Sequence, residues 1–202
     1  SAFELAKAGS QRIWVRDAAL SLADTTQTIT VTSGALAGFT LQVNNGAAIT
    51  AGVDFPIAIS AAVDNSGNPL TGTVQIVFAD GAAHISPSGL APQLNPVQVV
   101  NGSGSSTSRL YLSESGKTLK ATMAGIEKTA AITVLPGPAA DLQVAGEPNL
   151  PTALVAGDNF GVNGLRVRVL DAYGNIKTNY NGSLYFTSSD DQAVLTYTNA
   201  SP

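Results

Sequence analysis

Residues 169–175 read VLDAYGN, and residues 62–68 read AVDNSGN. In each stretch an Asp is followed by Gly at the third position after it and by Asn at the fourth. Similarity of a chain to itself at a fixed spacing is the signature of a repeat architecture. The two stretches therefore set the register in which the rest of the chain is compared with itself.

In that register the similarity continues on both sides of the two stretches. The corresponding segments are LQV at 41–43 and 142–144, AGVDF at 51–55 and AGDNF at 156–160, GTVQIVFAD at 72–80 and GSLYFTSSD at 182–190, SAFELAKAG at 1–9 and SRLYLSESG at 108–116, and QTITVTSGALA at 27–37 and AAITVLPGPAA at 130–140. The partners in these pairs lie roughly 100 residues apart, which is an ordinary domain length. The sequence thus predicts a domain-sized repeat.

Within the repeat, apolar residues alternate with polar ones. Val74, Ile76 and Phe78 fall on one face of an extended segment, and Leu184 and Phe186 do the same in the second copy. A period of two indicates strands, and helical periodicity is nearly absent. Short alternating strands separated by turn residues predict an all-β fold of tandem immunoglobulin-like sandwiches.

Three longer stretches carry a family resemblance. VLDAYGNIKTNYNGSLYFTSSDDQAVL (169–195), AGSQRIWVRD (8–17) and QTITVTSGALAGFTLQV (27–43) resemble the tandem Ig-like repeats of large bacterial secreted and cell-surface proteins. The resemblance implies β-sandwich domains and an extracellular location at the bacterial cell surface. Repeats of this kind serve as stalks, spacers, adhesin modules and assembly units, so the resemblance does not select one function.

The register divides the chain into one complete sandwich and one split sandwich. Residues 1–34 supply the last strands of an Ig-like domain, residues 35–136 form a complete one, and residues 137–202 supply the first strands of another. Both cuts fall at the equivalent of PQLNPVQVVNGSGSST, 92–107, whose Pro, Asn, Gly and Ser predict a long exposed loop.

Composition excludes several classes of function. The net charge of −4 gives no basic footprint for nucleic acid. The chain has no Cys for disulfides or thiolate metal sites, and no apolar run long enough to span a membrane. The N-terminus lacks a basic start followed by an apolar block, so we expect any leader to have been removed already. With one His and no recognisable frame of paired carboxylates, we expect no enzymatic activity.

Asp64 and Asp171 are candidates for a cation site. Together with Asp80, or with Asp190 and Asp191, they offer the oxygen ligands that calcium prefers. The alternation of acids that marks an EF-hand loop is missing, however. We expect Asx-turns instead, in which the carboxylate accepts backbone N–H groups and Gly adopts a positive φ, and we predict no cofactor.

His84 is the only histidine, so any Ser-His-Asp arrangement would have to use it. Its surroundings, AAHISPSG, contain no nucleophile elbow, and we predict a half-exposed strand histidine. The Gly-rich NGSGSS at 101–106 is not followed by Lys-Ser/Thr or by a helix. It therefore reads as a loop and not as a phosphate cradle.

Trp14 is the only tryptophan and lies between Arg12 and Arg16. Alternation places Ile13 and Val15 inward and Trp14 outward, where a Trp flanked by Arg is typical of interface hot spots. A carbohydrate platform and a side chain shielded by its own neighbours are the alternatives.

The two partial sandwiches predict assembly between chains. The linkers SGALA and PGPAA span at most about 18 Å each, which disfavours closure of the split sandwich within one chain. We therefore expect residues 1–34 of one copy to complete residues 137–202 of another by strand addition. The interface residues predicted for this contact are Phe3, Leu5, Ile13, Trp14, Val15, Ile29, Val31, Leu184 and Phe186.

A head-to-tail contact of this kind gives a filament or surface layer, and a reciprocal exchange gives a dimer. Two alternatives stay open. The chain is an adhesin module that binds glycan or host protein through Trp14 or the loop 87–106, or it is an excerpt of a longer surface stalk.

Overall fold

The computed structural model describes residues 3–146, 153, 155–157 and 165–194. These residues form an all-β structure, as predicted, and their one helical element is a 3₁₀ turn at Asn44–Gly46. The second copy of AGVDF, at 156–160, lies mostly outside the described residues.

Fourteen strands are formed within the described part of the chain. Their bounds are β1 Gly9–Gln11, β2 Trp14–Asp17, β3 Leu22–Thr25, β4 Ile29–Val31, β5 Leu36–Val43, β6 Ile49–Thr50, β7 Asp54–Asp64, β8 Gly72–Phe78, β9 Val97–Val99, β10 Gly104–Arg109, β11 Glu114–Met123, β12 Ile126–Leu135, β13 Ala139–Gly146 and β14 Leu165–Asp171.

Strands β5 to β12 build a β-sandwich from two sheets. One sheet has the order β10-β7-β5, and the other has the order β6-β12-β11-β8-β9. All neighbours are antiparallel except β6 and β12, which run parallel. The apolar residues buried between the sheets come from both of them, among them Ile57 and Ile59 of β7 and Leu119 of β11.

The alternation predicted for residues 72–80 is confirmed by burial. In β8, Val74, Ile76 and Phe78 are buried, whereas Gln75 and Val77 between them are exposed. One side of the strand therefore faces the core and the other faces solvent, which is the pattern of a sheet with one covered face.

The stretch 92–107 is not the long exposed loop that its composition predicted. It contains β9 and the first residues of β10, and Val97 and Val99 are buried in the core. NGSGSS at 101–106 likewise runs into β10. The alternation Val-Gln-Val was the stronger signal, because apolar residues two apart fit one face of a strand, and the neighbouring Pro and Gly residues obscured it.

The strand predicted around Leu184 and Phe186 is not formed. Residues 182–190 carry no strand, and Leu184 is half-buried while Phe186 is exposed. The corresponding strand β8 is held by β11 on one side and β9 on the other. No strand of the described residues pairs with 182–190, and an extended segment without a paired neighbour lacks the hydrogen bonds that define a strand.

The segments on either side of the sandwich form two-stranded sheets. β1 pairs with β4, β2 with β3, and β13 with β14, all antiparallel. Every residue of β2 is exposed, and β13 exposes Leu142 and Val144 by about half. Counted from the pairs of Gly38 with Val63 and of Asp141 with Leu170, Leu142 takes the place of Phe39, which is buried in the core, and not the place of Leu41 that the alignment of LQV predicted.

A search of the described residues finds no helix with the length and apolar character needed to cross a membrane.

Candidate functional site: the joints between repeats

The turn that opens with Asp64 joins three segments of the chain, and we call this region the first joint. Asp64 Oδ2 accepts a hydrogen bond from the amide of Gly34, in the linker, at 2.8 Å. Asn68 Oδ1 accepts one from the amide of Ala8 at 2.7 Å, and Asn68 Nδ2 donates to the carbonyl oxygen of Ala6 at 2.7 Å. One turn thus holds the linker and the end segment of the preceding repeat.

The turn that opens with Asp171 makes the same contacts, and we call this region the second joint. Asp171 Oδ2 accepts from the amide of Gly137 at 2.8 Å. Asn175 Oδ1 accepts from the amide of Ser113 at 2.8 Å, and Asn175 Nδ2 donates to the carbonyl oxygen of Tyr111 at 2.7 Å. The motif that marks the predicted repeat in the sequence therefore makes the same set of contacts in both places.

Each joint is organised by an Asx-turn, as predicted for Asp64 and Asp171. Asp64 Oδ1 accepts the amides of Ser66 and Asn68, and Asp64 Oδ2 also accepts Asn68 Nδ2 at 2.9 Å. The second turn repeats this pattern. Gly67 supplies a φ of 81°, which residues other than glycine rarely adopt.

Six side-chain hydrogen bonds are common to the two joints, and their lengths agree within about 0.1 Å. The four side chains that make them are buried: Asp64, Asn68, Asp171 and Asn175. A buried polar network in which every member is paired fixes the relative position of the segments it joins.

The electrostatics favour the ionised carboxylate at both joints. Hydrogen bonds, first from the side chain of Asn68 and then from the amide of Gly34, lower the pKa of Asp64 to about 2. At the second joint burial raises the pKa of Asp171, but the hydrogen bonds from Asn175 and Gly137 outweigh it and the net pKa is lowered. The charged form is thus the one that the joints stabilise.

The acids named for the calcium alternative take part in separate contacts. Both oxygens of Asp64 accept N–H donors, and Asp80 is engaged elsewhere, with His84. Asp190 caps its own turn through Gln192. In the part of the chain that the structure describes, no three acidic or His side chains cluster as metal ligands would.

One difference between the two joints is an aromatic pair of side chains. Tyr173 of the second turn packs against the sandwich core, with its ring 5.1 Å from that of Tyr111 and its hydroxyl beside Gly52. At the first joint, Ser66 stands at the position of Tyr173 and Ala6 at the position of Tyr111. The second joint therefore has an aromatic contact that the first one lacks.

The first joint instead contains a pocket of about 230 Å³. Its lining includes Leu5 and Val31, two of the predicted interface residues, together with Asp64 and Ser66. Leu5 and Val31 thus lie against the turn that opens with Asp64 in their own chain.

A second inter-repeat contact comes from the loop that follows β8. The amide of Ser88 donates to the carbonyl oxygen of Tyr173 at 3.1 Å, and Pro87 lies against Gly174. The loop is closed on itself by hydrogen bonds between Ser86 and Leu90.

His84, at the start of this loop, differs from the prediction in two respects. It is buried and not half-exposed, and it lies outside any strand with a φ of 47°. Its ring stacks on Phe78 at 3.7 Å, and its nitrogens contact Glu114 Oε1 at 2.7 Å and Asp80 Oδ1 at 2.8 Å. The contact with Glu114 joins residues 30 positions apart, so local alternation did not reveal it.

The remaining predicted interface residues are spread over the terminal segments. Trp14 is 63% exposed, in agreement with an outward orientation, but Val15, predicted to face inward, is 65% exposed. The hairpin of β2 and β3 has no sheet against either face within the described residues, so alternation there does not separate a buried side from an exposed one. Phe3 is exposed, and Ile13 and Ile29 are half-buried.

The joints also correct the alignment of the first repeat. Ala6 and Ala8 take the places of Tyr111 and Ser113, a shift of 105 residues and not the 107 predicted from SAFELAKAG.

The sequence did not predict that Asn68 and Asn175 bind the preceding segment of the chain. The recurrence of Asn at the end of both turns was the available signal, because an Asx-turn needs only the Asp and the Gly.

Comparison with known proteins adds little. No protein-family model and no curated protein matches the chain. Two solved structures are similar, the crystal structure of the S-layer protein rSbsC(31-844), at 18% identity and a TM-score of 0.40, and the structure of surface layer protein SbsC, domains 1-6, at 19% and 0.39. Each match covers 84% of this chain and 20% of the other. The chain thus spans about a fifth of those structures, and at this degree of likeness the matches assign it no function.

Proposed function

We propose that the chain is an extracellular structural protein of the bacterial cell surface, in which β-sandwich repeats are joined in tandem at stiff joints. The observation that carries the proposal is the repetition of the same six hydrogen bonds at both joints. An array of repeats keeps a fixed length and direction only when each repeat is held rigidly against its neighbour, so the joint is the functional element.

The geometry explains why such a joint is stiff. Asn175 bonds two backbone groups of the preceding repeat, and Asp171 holds both Asn175 and the linker residue Gly137. Rotating one repeat against the other breaks several buried hydrogen bonds at once. Leaving such groups unpaired costs about 1 to 3 kcal/mol each, which strongly disfavours bending.

The experiment measures the spread of distances across the second joint. Spin labels on Thr129→Cys and Gln143→Cys, two exposed positions in a chain without other Cys, report the orientation of the repeats. We expect a narrow distance distribution that broadens with Asn175→Ala. Asn65→Ala, an exposed side chain in the first turn, is the control and leaves the distribution unchanged. A broad distribution in the unmodified joint would contradict the proposal.

The immunoglobulin-like assignment of the repeats is part of this proposal. The first, third and sixth strands of the sandwich, β5, β7 and β10, form one sheet, and β8, β11 and β12 lie in the other. This division of an antiparallel sandwich supports the assignment, since Ig-like domains separate their strands between two sheets in a similar way.

A second candidate function, strand complementation between copies, is favoured by the exposed apolar surface of the terminal segments. The segment 182–190 corresponds to β8 but has no described neighbour, and the hairpin of residues 9–31 corresponds to β11 and β12. In the complete sandwich β11 is the neighbour of β8. Residues 1–34 of one copy would complete residues 137–202 of another in the same way and extend into a filament.

Trp14 makes this candidate testable, because its fluorescence reports on the hairpin alone. We expect the emission to shift to shorter wavelength and the sedimentation coefficient to rise with protein concentration. Val15→Asp should abolish both changes, whereas Val53→Asp, at another exposed position that lies on the complete sandwich, should not. Monodisperse protein at the highest soluble concentration would reject complementation.

Recognition of glycan or host protein is the remaining alternative, and the exposure of Trp14 is the observation that supports it. Binding to a glycan array that is lost with Trp14→Ala would favour this alternative over a purely structural role.

A further inference from the structure

We infer that the cluster of His84, Asp80, Glu114 and Lys117 is a pH-sensitive lock on the second joint, closed when His84 carries a proton on both ring nitrogens. This inference rests on the proposed function, because it concerns the stiffness of the joint.

The geometry of the cluster fits a ring that carries a proton on both nitrogens. Nδ1 contacts Glu114 Oε1 at 2.7 Å, and Nε2 contacts Asp80 Oδ1 at 2.8 Å. An ionised carboxylate only accepts hydrogen bonds, so each nitrogen has to donate one. The ring stacks on Phe78, and this contact holds the ring plane between the two carboxylates.

The charged groups that face the ring come from two elements. Asp80 follows β8, and Glu114 and Lys117 belong to β11. Lys117 Nζ lies 3.4 Å from Asp80 Oδ2 and 3.8 Å from Glu114 Oε2, so it balances part of the negative charge. The hydrogen bond from His84 is the main reason that the pKa of Asp80 falls to about 2, and this carboxylate stays ionised over the range in which histidines titrate.

The cluster lies between the two segments that hold the next repeat. Glu114 directly follows Ser113, whose amide binds Asn175. On the other side, His84 begins the loop in which Ser88 donates to Tyr173. Loss of one proton from the ring removes one of the two donors and sets a lone pair against a carboxylate. The loop then loses its anchor to β11, and the contact between Ser88 and Tyr173 weakens.

Histidine side chains ordinarily change charge between about pH 5 and 8, so the test compares the joint at the two ends of that interval. The readout is the hydrogen-exchange protection factor of the Ser88 amide, which already corrects for the intrinsic effect of pH. We expect protection to fall by about tenfold or more between pH ~5 and pH ~8, the loss that removal of one hydrogen bond to a charged group produces.

Glu114→Gln separates the lock from a general effect of pH. The Gln amide can donate to the unprotonated nitrogen of a neutral ring, so this variant should keep its protection at high pH. Glu127→Gln removes a carboxylate that is paired with Lys120, away from the cluster, and should behave like the unmodified chain. Equal protection of Ser88 at both pH values, or the same loss in Glu114→Gln, would overturn the lock.

The spin-label distances across the second joint distinguish this failure from failure of the proposed function. A distribution that is narrow at every pH, together with constant Ser88 protection, rejects the lock and leaves the stiff joint standing. A distribution that is broad at every pH rejects both.

Discussion

At the scale of single residues, two asparagines bind the segment that precedes each joint. Asn68 and Asn175 each use the side-chain oxygen and nitrogen to bind the backbone of the preceding repeat. A side-chain amide is neutral at every ordinary pH and offers a donor and an acceptor side by side, which matches the C=O of one residue and the N–H of the second residue after it in an extended segment.

Replacing Asn68 by Ala should therefore cost stability at the first joint. The change leaves the amide of Ala8 and the carbonyl of Ala6 without their partner, and we expect the free energy of unfolding to fall by about 2 kcal/mol. Urea denaturation measures the difference, with Asn65→Ala as the control in the same turn. A loss no larger than that of the control would show that solvent replaces these bonds without cost.

The carboxylates predict how the joints respond to acid. The pKa of Asp64 is lowered to about 2 in the folded chain, below the value of about 3.9 in an unfolded one. A lowered pKa means that the stabilisation is complete above pH ~4 and is lost as the pH falls towards ~2. The amide proton of Gly34, which binds Asp64 Oδ2, should report this titration by NMR. A midpoint near pH 4 would contradict the hydrogen-bond network.

At the scale of elements, the second joint depends on a turn and a ring that fit one another. Gly52 has a φ of 77°, and a Cβ added there would overlap the ring of Tyr173. Gly46 has a φ of 79° and open space around it. The two glycines thus share the same backbone requirement, and only Gly52 has the additional steric one.

Gly52→Ala and Gly46→Ala form a matched pair for this contact. Both should lose about 1 kcal/mol to backbone strain, and Gly52→Ala should lose more because Tyr173 is displaced from the core. Unfolding free energies measure the difference. It should disappear when both changes are made in a Tyr173→Ala background, and a difference that persists there would assign the effect to the turn itself.

At the scale of the whole molecule, stability should be distributed unevenly. The sandwich of β5 to β12 has one continuous core, whereas β2 and β3 pair only with each other and are almost entirely exposed. Isolated two-stranded hairpins are marginal in water. The terminal hairpin should therefore open far more often than the sandwich.

Hydrogen exchange at low protein concentration tests this ordering. Amides of β2 and β3 should exchange faster by several orders of magnitude than those of β7 and β11, because opening the latter requires loss of the core. Hairpin amides as well protected as those of β11 would show that the hairpin has a packing partner under these conditions.

Most of the sandwich could be predicted from the sequence, because its information is local. Alternation places Val74, Ile76 and Phe78 on one face, and the spacing of Asp, Gly and Asn defines a turn. Where a strand has no neighbour, as around Leu184, the same pattern predicts a strand that is not formed. Periodicity reports which face of a strand is apolar and does not report whether a partner is present.

What the sequence alone determined is the all-β class, the period of the repeat and the two Asx-turns, since each depends on residues close together in the chain. The tertiary structure decided what those turns do. It brought Asn175 to Tyr111 and Ser113, Asp171 to Gly137, and His84 between Asp80 and Glu114. Apart from the contact between His84 and Asp80, these contacts join residues 30 or more positions apart. They therefore depend on how the strands between the two residues pack. The joint is therefore a property of the packed repeats, although the motif that builds it is written twice in the sequence.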